Sequence, residues 1–326
     1  MTIKHLHIAL LAVLFSACSS RLPEVETTIH RCASAPESRV AAAYAAVDSV
    51  IYIIGGRTEE YTVTSTVLRY NAADDTWSKA GTPMKPRVNA TATTLNGCIY
   101  VGLGFSGYSI NYDDSYLRDF YRFDPSDGTW TRLADYPSDK TVAAVSFSDG
   151  QYIYAGFGYR GYGNELFRYN PATDTWTAIE QPAKGYYPPR VMSPIAATIG
   201  QRCLIGTGYH PYAGSYLAEF SPADNTWQER KAVPGKARHN AACTSTDDRM
   251  FVFGGWHYGD SLTNGFHFED ILCYTPEDDS WSCYGIMPDG PSENRFAARV
   301  GNRIYFGLGE DKHGHLLRNL YYFESR

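Results

Sequence analysis

The sequence predicts an all-β protein folded as a six-bladed β-propeller, and three repeated features predict it. Six apolar runs each close on glycines, and the last glycines of successive runs lie 47 to 54 residues apart. Five of these copies then carry an aromatic residue followed seven residues later by a tryptophan. A stretch of small residues precedes each apolar run. A period of about fifty residues, with four strands per copy, is typical of blades arranged radially around a channel.

The small stretch and the apolar run predict the first two strands of each copy. Small side chains suit an innermost strand, because the blades crowd together near the axis. The small stretches are residues 41–46, 89–93, 143–145, 196–197, 241–242 and 297–298. The apolar run that follows predicts the second strand. These runs end at the glycines Gly56, Gly104, Gly158, Gly208, Gly255 and Gly309.

The third and fourth strands are predicted as a hairpin whose turn separates the aromatic residue from the tryptophan. The run before the turn alternates and is rich in aromatic residues, as expected of a half-buried strand. Asn, Asp, Ser, Pro and Gly fill the turn, where Asp or Asn tolerates the left-handed conformation. We expect the two rings to pack on each other or on the neighbouring sheet. The pairs are Tyr70–Trp77, Phe123–Trp130, Tyr169–Trp176, Phe220–Trp227 and Tyr274–Trp281.

The N-terminal segment is predicted to complete the last blade. The sixth copy ends at Tyr322-Phe323 with three residues left, too few for a turn and a fourth strand. Residues 28–36 (TIHRCASAP) align with residues 129–137 (TWTRLADYP), which belong to an outer strand. We therefore expect residues 28–34 to form the outer strand of the last blade, which joins the chain ends and leaves no open sheet edge. One closed ring makes residues 28–326 a single domain.

The glycine pair, the aromatic residue and the tryptophan together resemble the kelch repeat, over roughly residues 28–326. Four copies carry Gly-x-Gly in place of Gly-Gly, and the sixth lacks the tryptophan. The resemblance implies that function lies in loops on one face, around the central channel. It also implies one enzymatic activity to consider, because the bacterial sialic acid mutarotases are six-bladed kelch proteins of the periplasm.

The N-terminus predicts export and lipid anchoring. A weakly basic start and an apolar run at residues 8–15 indicate a signal peptide over residues 1–17, and the run is too short to span a membrane. Phe-Ser-Ala-Cys resembles a bacterial lipobox, so Cys18 is the expected lipidation site and residues 18–27 a tether. The alternative is an ordinary signal peptide with a coincidental cysteine. Either way we expect the bacterial periplasm or outer membrane, with membrane contact only through the lipid.

Composition and cysteine spacing limit the partners. The chain has 29 basic and 35 acidic residues and no basic run, which argues against nucleic acid or an anionic membrane as a partner. Cys273 and Cys283 flank the fifth hairpin turn and are a possible disulfide. Cys-x-x-Cys does not occur, and we expect neither a metal nor a cofactor. The expected partner of this monomer is a carbohydrate or a protein.

Ligand-binding candidates come from two sets of loops that share one face in kelch-like domains, namely those after the glycines and those entering the innermost strands. The candidates are Arg57, Arg87, Asn89, Arg160, His210, His239, Asn240, Trp256, His257 and Glu310. Residues that break the repeat are the stronger candidates. Trp256 stands first among them, because Trp281 already supplies the tryptophan of that copy.

A basic residue recurs seventeen or eighteen residues before the last glycine of five copies. It either braces neighbouring loops, which is the interpretation that we favour, or contributes to a ligand-binding ring. The positions are Arg39, Arg87, Lys140, Arg190 and Arg238.

The candidate loops fit three functions. Aromatic faces beside amide and guanidinium groups suit sugars, and the same groups suit an acidic peptide. For mutarotation, Glu310 or His257 is the candidate acid or base, and Arg57, Arg87 or Arg160 would anchor a carboxylate. A purely structural envelope or adhesion module is the third function.

Overall fold

The computed structural model describes residues 22–107, 115–138, 141–158, 165–182, 185–189, 191–209, 214–259 and 264–325. Within these ranges the chain forms six antiparallel four-stranded sheets and two short two-stranded ladders. Each sheet is one blade, so the predicted all-β, six-bladed propeller is confirmed. No helix in the described ranges is long and apolar enough to cross a membrane.

Blades 1 to 3 each contain four strands that follow one another along the chain, from the axis outward. Blade 1 consists of β2 (Ala43–Val47), β3 (Val50–Ile54), β4 (Val67–Asn71) and β5 (Thr76–Ala80). Blade 2 consists of β6 (Thr91–Leu95), β7 (Cys98–Gly102), β8 (Phe120–Asp124) and β9 (Thr129–Leu133). Blade 3 consists of β10 (Val145–Ser148), β11 (Ile153–Gly156), β12 (Leu166–Asn170) and β13 (Thr175–Ile179).

Blades 4 to 6 repeat this order, with two short ladders added beside blades 5 and 6. Blade 4 consists of β14 (Ile195–Ile199), β15 (Arg202–Gly206), β16 (Leu217–Ser221) and β17 (Thr226–Arg230). Blade 5 consists of β18 (Ala242–Ser245), β19 (Met250–Phe253), β22 (Asp270–Thr275) and β23 (Ser280–Ile286). Blade 6 consists of β25 (Phe296–Val300), β26 (Arg303–Gly307), β28 (Leu320–Glu324) and β1 (His30–Arg31). The short ladders pair β20 (Trp256–His257) with β21 (Phe266–His267), and β24 (Ser292–Glu293) with β27 (Glu310–Asp311).

The N-terminal strand closes the last blade, as predicted. β1 lies outermost in blade 6, where His30 pairs with Tyr322 and Arg31 with Tyr321. The strand is two residues long, shorter than the expected 28–34, although the backbone of Cys32 still donates to the carbonyl of Leu320 at 2.9 Å. The first and last segments of the ring therefore share one sheet.

The aromatic residue and the tryptophan of each hairpin pack on each other, as expected. They are cross-strand partners in all five copies, with ring centroids 4.6 to 5.1 Å apart. In blade 1 the Trp77 indole also donates to the carbonyl of Ala33 at 2.8 Å, and Asp75 accepts from the Ala33 amide and the Tyr70 hydroxyl. The same bonds recur in blades 3 and 5, so in these three blades the turn fixes its own hairpin and fastens it to the chain just after the outer strand of the preceding blade.

The innermost strands begin later than the small stretches predict. In the first three blades they start at residues 43, 91 and 145 instead of 41, 89 and 143. Ala41, Asn89 and Ala143 have φ angles of 54°, 52° and 54°, in the left-handed region that a strand does not admit. The chain therefore turns at these residues before it enters the blade.

The predicted disulfide between Cys273 and Cys283 is wrong. Cys273 is a buried free thiol that lies opposite Ser282, while Cys283 lies opposite Leu272. Cys273 and Cys283 therefore lie on adjacent rungs of the ladder, and side chains one rung apart point to opposite faces of the sheet. Cys283 consequently belongs to the apolar cluster between blades 4 and 5, and Cys273 to the cluster between blades 5 and 6.

Candidate functional site

A cavity of about 440 Å³ lies at one mouth of the central channel, and we call it the mouth cavity. Both predicted sets of loops contribute to it. Its lining residues are Val40, Ala41, Arg57, Asn89, Phe105, Val142, Ala143, Met192, Ser193, Tyr209, His239, Asn240, Trp256, Tyr258 and Asn294. Five of the predicted binding residues, Arg57, Asn89, His239, Asn240 and Trp256, are thus brought together on one face.

Equivalent residues of successive blades form the rim of this cavity. In each of five copies, the first residue after the glycines pairs with the residue that precedes the left-handed turn. The pairs are Arg57 with Val40, Phe105 with Val88, Tyr209 with Met192, Trp256 with His239, and Glu310 with Glu293. Three pairs couple an apolar residue with an arginine or an aromatic ring, whereas blade 5 presents His–Trp and blade 6 Glu–Glu. The departures from symmetry therefore concentrate in blades 5 and 6.

Four rings form a closed circuit beside the cavity, and we call it the aromatic wall: Tyr209, His239, Trp256 and Tyr258. Successive centroids lie 5.3 Å (Tyr209–His239), 5.1 Å (His239–Trp256), 5.4 Å (Trp256–Tyr258) and 5.0 Å (Tyr258–Tyr209) apart. Trp256 also stacks nearly parallel on His267, at 5.8 Å and 11°. The indole is half-buried and held from three sides, so it presents a fixed apolar face to the cavity.

The imidazole of His239 is neutral in this wall at neutral pH. Burial, together with the nearby His257 and His267, lowers its pKa to about 4. The side chain is 5% exposed. His239 therefore acts here as an uncharged ring between two larger aromatic rings.

A cluster of charged and polar groups adjoins the wall, and we call it the polar cluster: Arg57, Asn240, His267, Glu293 and Glu310. Arg57 donates to Glu310 Oε2 at 2.7 Å, which links blade 1 to blade 6. Asn240 donates to Glu293 Oε2 at 2.7 Å, and His267 Nε2 lies 3.2 Å from Glu293 Oε1. The two glutamates are direct partners in the β24–β27 ladder.

The environment of Glu310 disfavours its charged form. Burial raises the pKa of Glu310, Arg57 lowers it, and the neighbouring Glu293 raises it again, with a net upward shift. Gly309 permits this close approach, because its φ is 87° and an added Cβ would lie 2.5 Å from the carbonyl oxygen of Glu293. A carboxyl group with a raised pKa beside a second carboxylate is the arrangement that general acid–base chemistry uses.

The floor of the cavity is a belt of backbone. Six equivalent residues have φ angles between 52° and 54°: Ala41, Asn89, Ala143, Ser193, Asn240 and Asn294. Amides of this belt donate to the carbonyl of the preceding blade's equivalent residue, for example Asn89 to Ala41 at 2.8 Å and Asn294 to Asn240 at 2.9 Å. Four of the six backbone amides in the base of the cavity are therefore already bonded to the neighbouring blade.

The channel below the belt is narrowed by Tyr44. The lining there consists mainly of small residues from the innermost strands. Tyr44 reaches across from blade 1, and its hydroxyl lies 3.4 Å from the amide nitrogen of Cys243 in blade 5. A ligand in the mouth cavity thus meets a partly closed channel beneath it.

Arg87, predicted to bind ligand, does not line the cavity. Its fully buried guanidinium donates to the two carboxylate oxygens of Asp119 at 2.9 and 2.7 Å and to a backbone carbonyl at 3.1 Å. Arg238 repeats the arrangement with Asp270, at 2.6 and 2.9 Å. Arg87 is therefore corrected from a binding residue to a brace between loops, which is the role that we favoured for the recurring arginines.

His257, predicted as a binding or catalytic residue, also lies outside the cavity. It follows Trp256 in β20, so its side chain points to the opposite face of the ladder. Its Nδ1 lies 2.8 Å from the carbonyl oxygen of Ala237, and its ring packs against Phe266. The other candidates Arg160, His210 and Cys18 lie outside the described residues, as does the predicted signal peptide.

Sequence reasoning missed Glu293 and His267 as parts of this site. Glu293 could have been found from its offset, because it precedes Asn294 as His239 precedes Asn240. His267 carries no such signal, since it reaches Trp256 only through the β20–β21 ladder. In the described part of the chain, no group of three or more His, Cys, Asp or Glu side chains is arranged to hold a metal ion.

Two family models match the chain. The KLHDC2/KLHL20/DRC7 Kelch-repeats domain matches residues 15–208, and the Kelch motif matches residues 237–288.

Similar proteins include eukaryotic and bacterial examples. Kelch-like protein 25 of Xenopus tropicalis is 23% identical over 261 residues, which are 78% of this chain and 42% of that protein. N-acetylneuraminate epimerase of Yersinia pestis (strain Pestoides F) is 22% identical over 240 residues, 70% of this chain and 53% of that protein. The chain thus spans about half the length of these curated relatives. The solved structure of YjhT superimposes with a TM-score of 0.73 at 15% identity, over 89% of this chain and 95% of that one, a likeness of fold.

Proposed function

This chain belongs to the kelch-repeat family, and we propose that it is an exported, lipid-anchored propeller that binds a carbohydrate in the mouth cavity. The observation that carries this proposal is the placement of Trp256, whose half-buried indole lines the cavity and is held by neighbouring rings. A pyranose ring packs its apolar face on such an indole. Fixing the indole beforehand reduces the entropy lost on binding.

Hydrogen-bonding groups lie beside this stacking surface. Asn240 and Asn294 line the cavity, and Asn240 is oriented by Glu293. Amides both donate and accept, which suits sugar hydroxyls that do the same. An acidic peptide or protein is the alternative ligand, and a structural envelope module is the alternative without a ligand.

Sugar titrations test the proposal. Purified protein is titrated with a panel of neutral and acidic mono- and oligosaccharides, and binding is followed by saturation-transfer NMR and by intrinsic tryptophan fluorescence. We expect at least one sugar to bind and to change the fluorescence, because Trp256 lines the cavity. Binding of acidic peptides in the absence of any sugar binding would contradict a carbohydrate site.

Sugar mutarotation is the second candidate function. It is favoured by the Glu293–Glu310 ladder pair, by the raised pKa of Glu310, and by the similarity to an N-acetylneuraminate epimerase. As the ring opens, Glu310 would take the proton from the anomeric hydroxyl and deliver one to the ring oxygen, and as the ring closes it would do the reverse, so it acts as base and acid in each direction. Anomer exchange of sialic acid or an aldose, measured by NMR, tests this. Wild-type protein should accelerate the exchange, and Glu310→Gln should abolish the acceleration. If exchange with wild-type protein is no faster than in buffer, mutarotation is contradicted and carbohydrate binding remains the proposed function.

Export and anchoring form a separate part of the proposal. They rest on the apolar run at residues 8–15 and on the Phe-Ser-Ala-Cys18 sequence. In a bacterial host, full-length protein should sediment with membranes and label with a palmitate analogue, and Cys18→Ala should move it to the soluble periplasm. A Cys18→Ala variant that still sediments with membranes would contradict a lipid on this cysteine.

A further inference from the structure

We infer that the mouth cavity selects uncharged carbohydrates over acidic ones, because the cation in its lining is already paired with Glu310. This inference rests on the proposed carbohydrate function and names the class of ligand. It assigns Arg57 a role different from the carboxylate anchor that the sequence suggested. Three sets of contacts support it.

The first is the pairing of Arg57 itself. Among the described residues that line the cavity, Arg57 is the only lysine or arginine. Its guanidinium donates to Glu310 Oε2 at 2.7 Å and lies over the Tyr61 ring at 4.7 Å. The side chains of the pair are 22% and 24% exposed, so water screens their attraction less than at an open surface. Glu310 therefore already offsets the charge of Arg57 and occupies one of its nitrogens, so an acidic ligand would have to compete with this carboxylate for the guanidinium.

The second is the charge around that pair. Glu293 lies directly opposite Glu310 in the ladder, so two carboxyl groups accompany a single guanidinium. His239, which lines the cavity in blade 5, is neutral at neutral pH, and His267 lies 3.2 Å from Glu293 Oε1. A carboxylate that enters the cavity therefore meets one guanidinium whose charge two neighbouring carboxyl groups already offset, and like charges brought together disfavour binding.

The third is the chemistry of the remaining lining. The aromatic wall and the side chains of Val40, Phe105 and Met192 are uncharged, and the polar groups on the floor are the amides Asn89, Asn240 and Asn294. Uncharged hydroxyls satisfy amide groups without an ionic partner. The cavity as a whole therefore offers an apolar face and neutral hydrogen bonds, which is the complement of a neutral pyranose.

The test uses pairs of closely related sugars of which one member carries a carboxylate and the other is uncharged. The pairs are galactose with galacturonic acid, glucose with glucuronic acid, and the methyl ester of N-acetylneuraminic acid with the free acid. For each pair that binds, the ratio of the two dissociation constants is measured by NMR titration at pH 7. We expect wild-type protein to bind the uncharged member roughly tenfold more tightly, or better.

Glu310→Gln is the informative variant, because it removes the negative charge that pairs with Arg57 while keeping the shape of the side chain. A freed guanidinium that bonds a carboxylate should move the ratio toward the acidic sugar by roughly tenfold or more. Glu293→Gln is the matched control, since it removes one acidic group from the same ladder and leaves the Arg57–Glu310 pair in place. The ratio should then move by no more than about threefold. Adding Arg57→Gln to Glu310→Gln should cancel the gain.

Each outcome decides between the two claims. Wild-type preference for the acidic member of the pairs overturns the inference and leaves the proposed carbohydrate function standing. An equal shift in Glu293→Gln and Glu310→Gln overturns the role of the Arg57–Glu310 pair. If no sugar binds at all, the proposed function fails and the inference falls with it. Circular dichroism and melting of each variant establish that it is folded.

Discussion

Arg87 and Arg238 are buried and brace neighbouring loops, and Arg238 gives the sharper test. Its guanidinium is fully buried, bonds the two oxygens of Asp270 at 2.6 and 2.9 Å, and lies 3.7 Å from the Phe268 ring centroid. It also donates to the carbonyl of Gly254 at 3.1 Å. Arg238→Met keeps the apolar stem and removes every one of these bonds. Leaving Asp270 buried without its partner should cost about 3–5 kcal/mol of unfolding free energy.

The matched control is an arginine with the same bidentate geometry at the surface. Arg299 bonds both oxygens of Asp247 at 2.6 and 3.0 Å, but the Asp247 side chain is 90% exposed. Arg299→Met should therefore cost no more than about 1 kcal/mol. For a domain of this size roughly 2 °C of melting temperature corresponds to 1 kcal/mol, so we expect a loss of about 6–10 °C against at most about 2 °C.

Urea and thermal unfolding followed by circular dichroism measure both variants. Replacing the whole pair, in Arg238→Met with Asp270→Leu, should recover most of the loss, because no charge is then left buried. The reasoning is refuted if Arg238→Met melts within 2 °C of wild type. It is refuted more strongly if that variant keeps its stability and loses sugar binding, since Arg238 would then belong to a ligand-binding ring.

Three further predictions concern the fold. Deleting residues 24–36 should lower the melting temperature by at least about 5 °C, because it removes β1 and the Ala33 acceptor of Trp77; an unchanged melting temperature would contradict ring closure by this segment. The pKa of His239 in the folded protein is about 4, below the ordinary 6.5. At pH values between these two, the unfolded chain binds one more proton than the folded chain. The free energy of unfolding therefore decreases as the pH is lowered. We expect this histidine to lower the free energy of unfolding by about 2–3 kcal/mol between pH 7 and pH 4.5. Urea titrations of His239→Phe should lack this contribution. The same pH dependence of stability in His239→Phe and wild type would refute the prediction. Cys273 should react with an alkylating reagent once the protein is unfolded, and no reductant should be needed. A Cys273–Cys283 cross-linked peptide in mass spectrometry would contradict the free thiol.

The architecture could be predicted because the copies repeat the same local sequence pattern. The Tyr70–Trp77 pair and its equivalents occupy adjacent strands of one hairpin, so their contact follows from seven residues of sequence. Ring closure was also visible, because residues 28–36 still resemble another blade's outer strand. The start of the innermost strands was misplaced, since the left-handed φ of Ala41 and Ala143 depends on hydrogen bonds between blades and not on residue type.

The site was harder to predict because charge pairing links distant copies. Arg57 and Arg87 both follow from the loop pattern, yet one lines the cavity and the other is buried. The difference lies in their partners: Glu310 is 253 residues from Arg57, whereas Asp119 is 32 residues from Arg87. Arg238 has its aspartate at the same offset of 32 residues, so these two arginines share one sequence spacing, whereas the buried Arg39 bonds Glu37 and Thr66.

Substitution of Trp256 tests directly whether the mouth cavity binds a sugar. Trp256→Ala and Trp256→Phe are compared with wild type for affinity toward the sugar identified in the titration panel and for melting temperature. We expect Trp256→Ala to weaken binding by roughly 1–3 kcal/mol, the scale of an aromatic anchor in a binding site, and Trp256→Phe to retain part of the affinity. The melting temperature of both should stay within a few degrees of wild type, because the half-buried indole lines the cavity and lies outside the clusters between blades. A large loss of melting temperature with unchanged sugar affinity would contradict a ligand site in the mouth cavity.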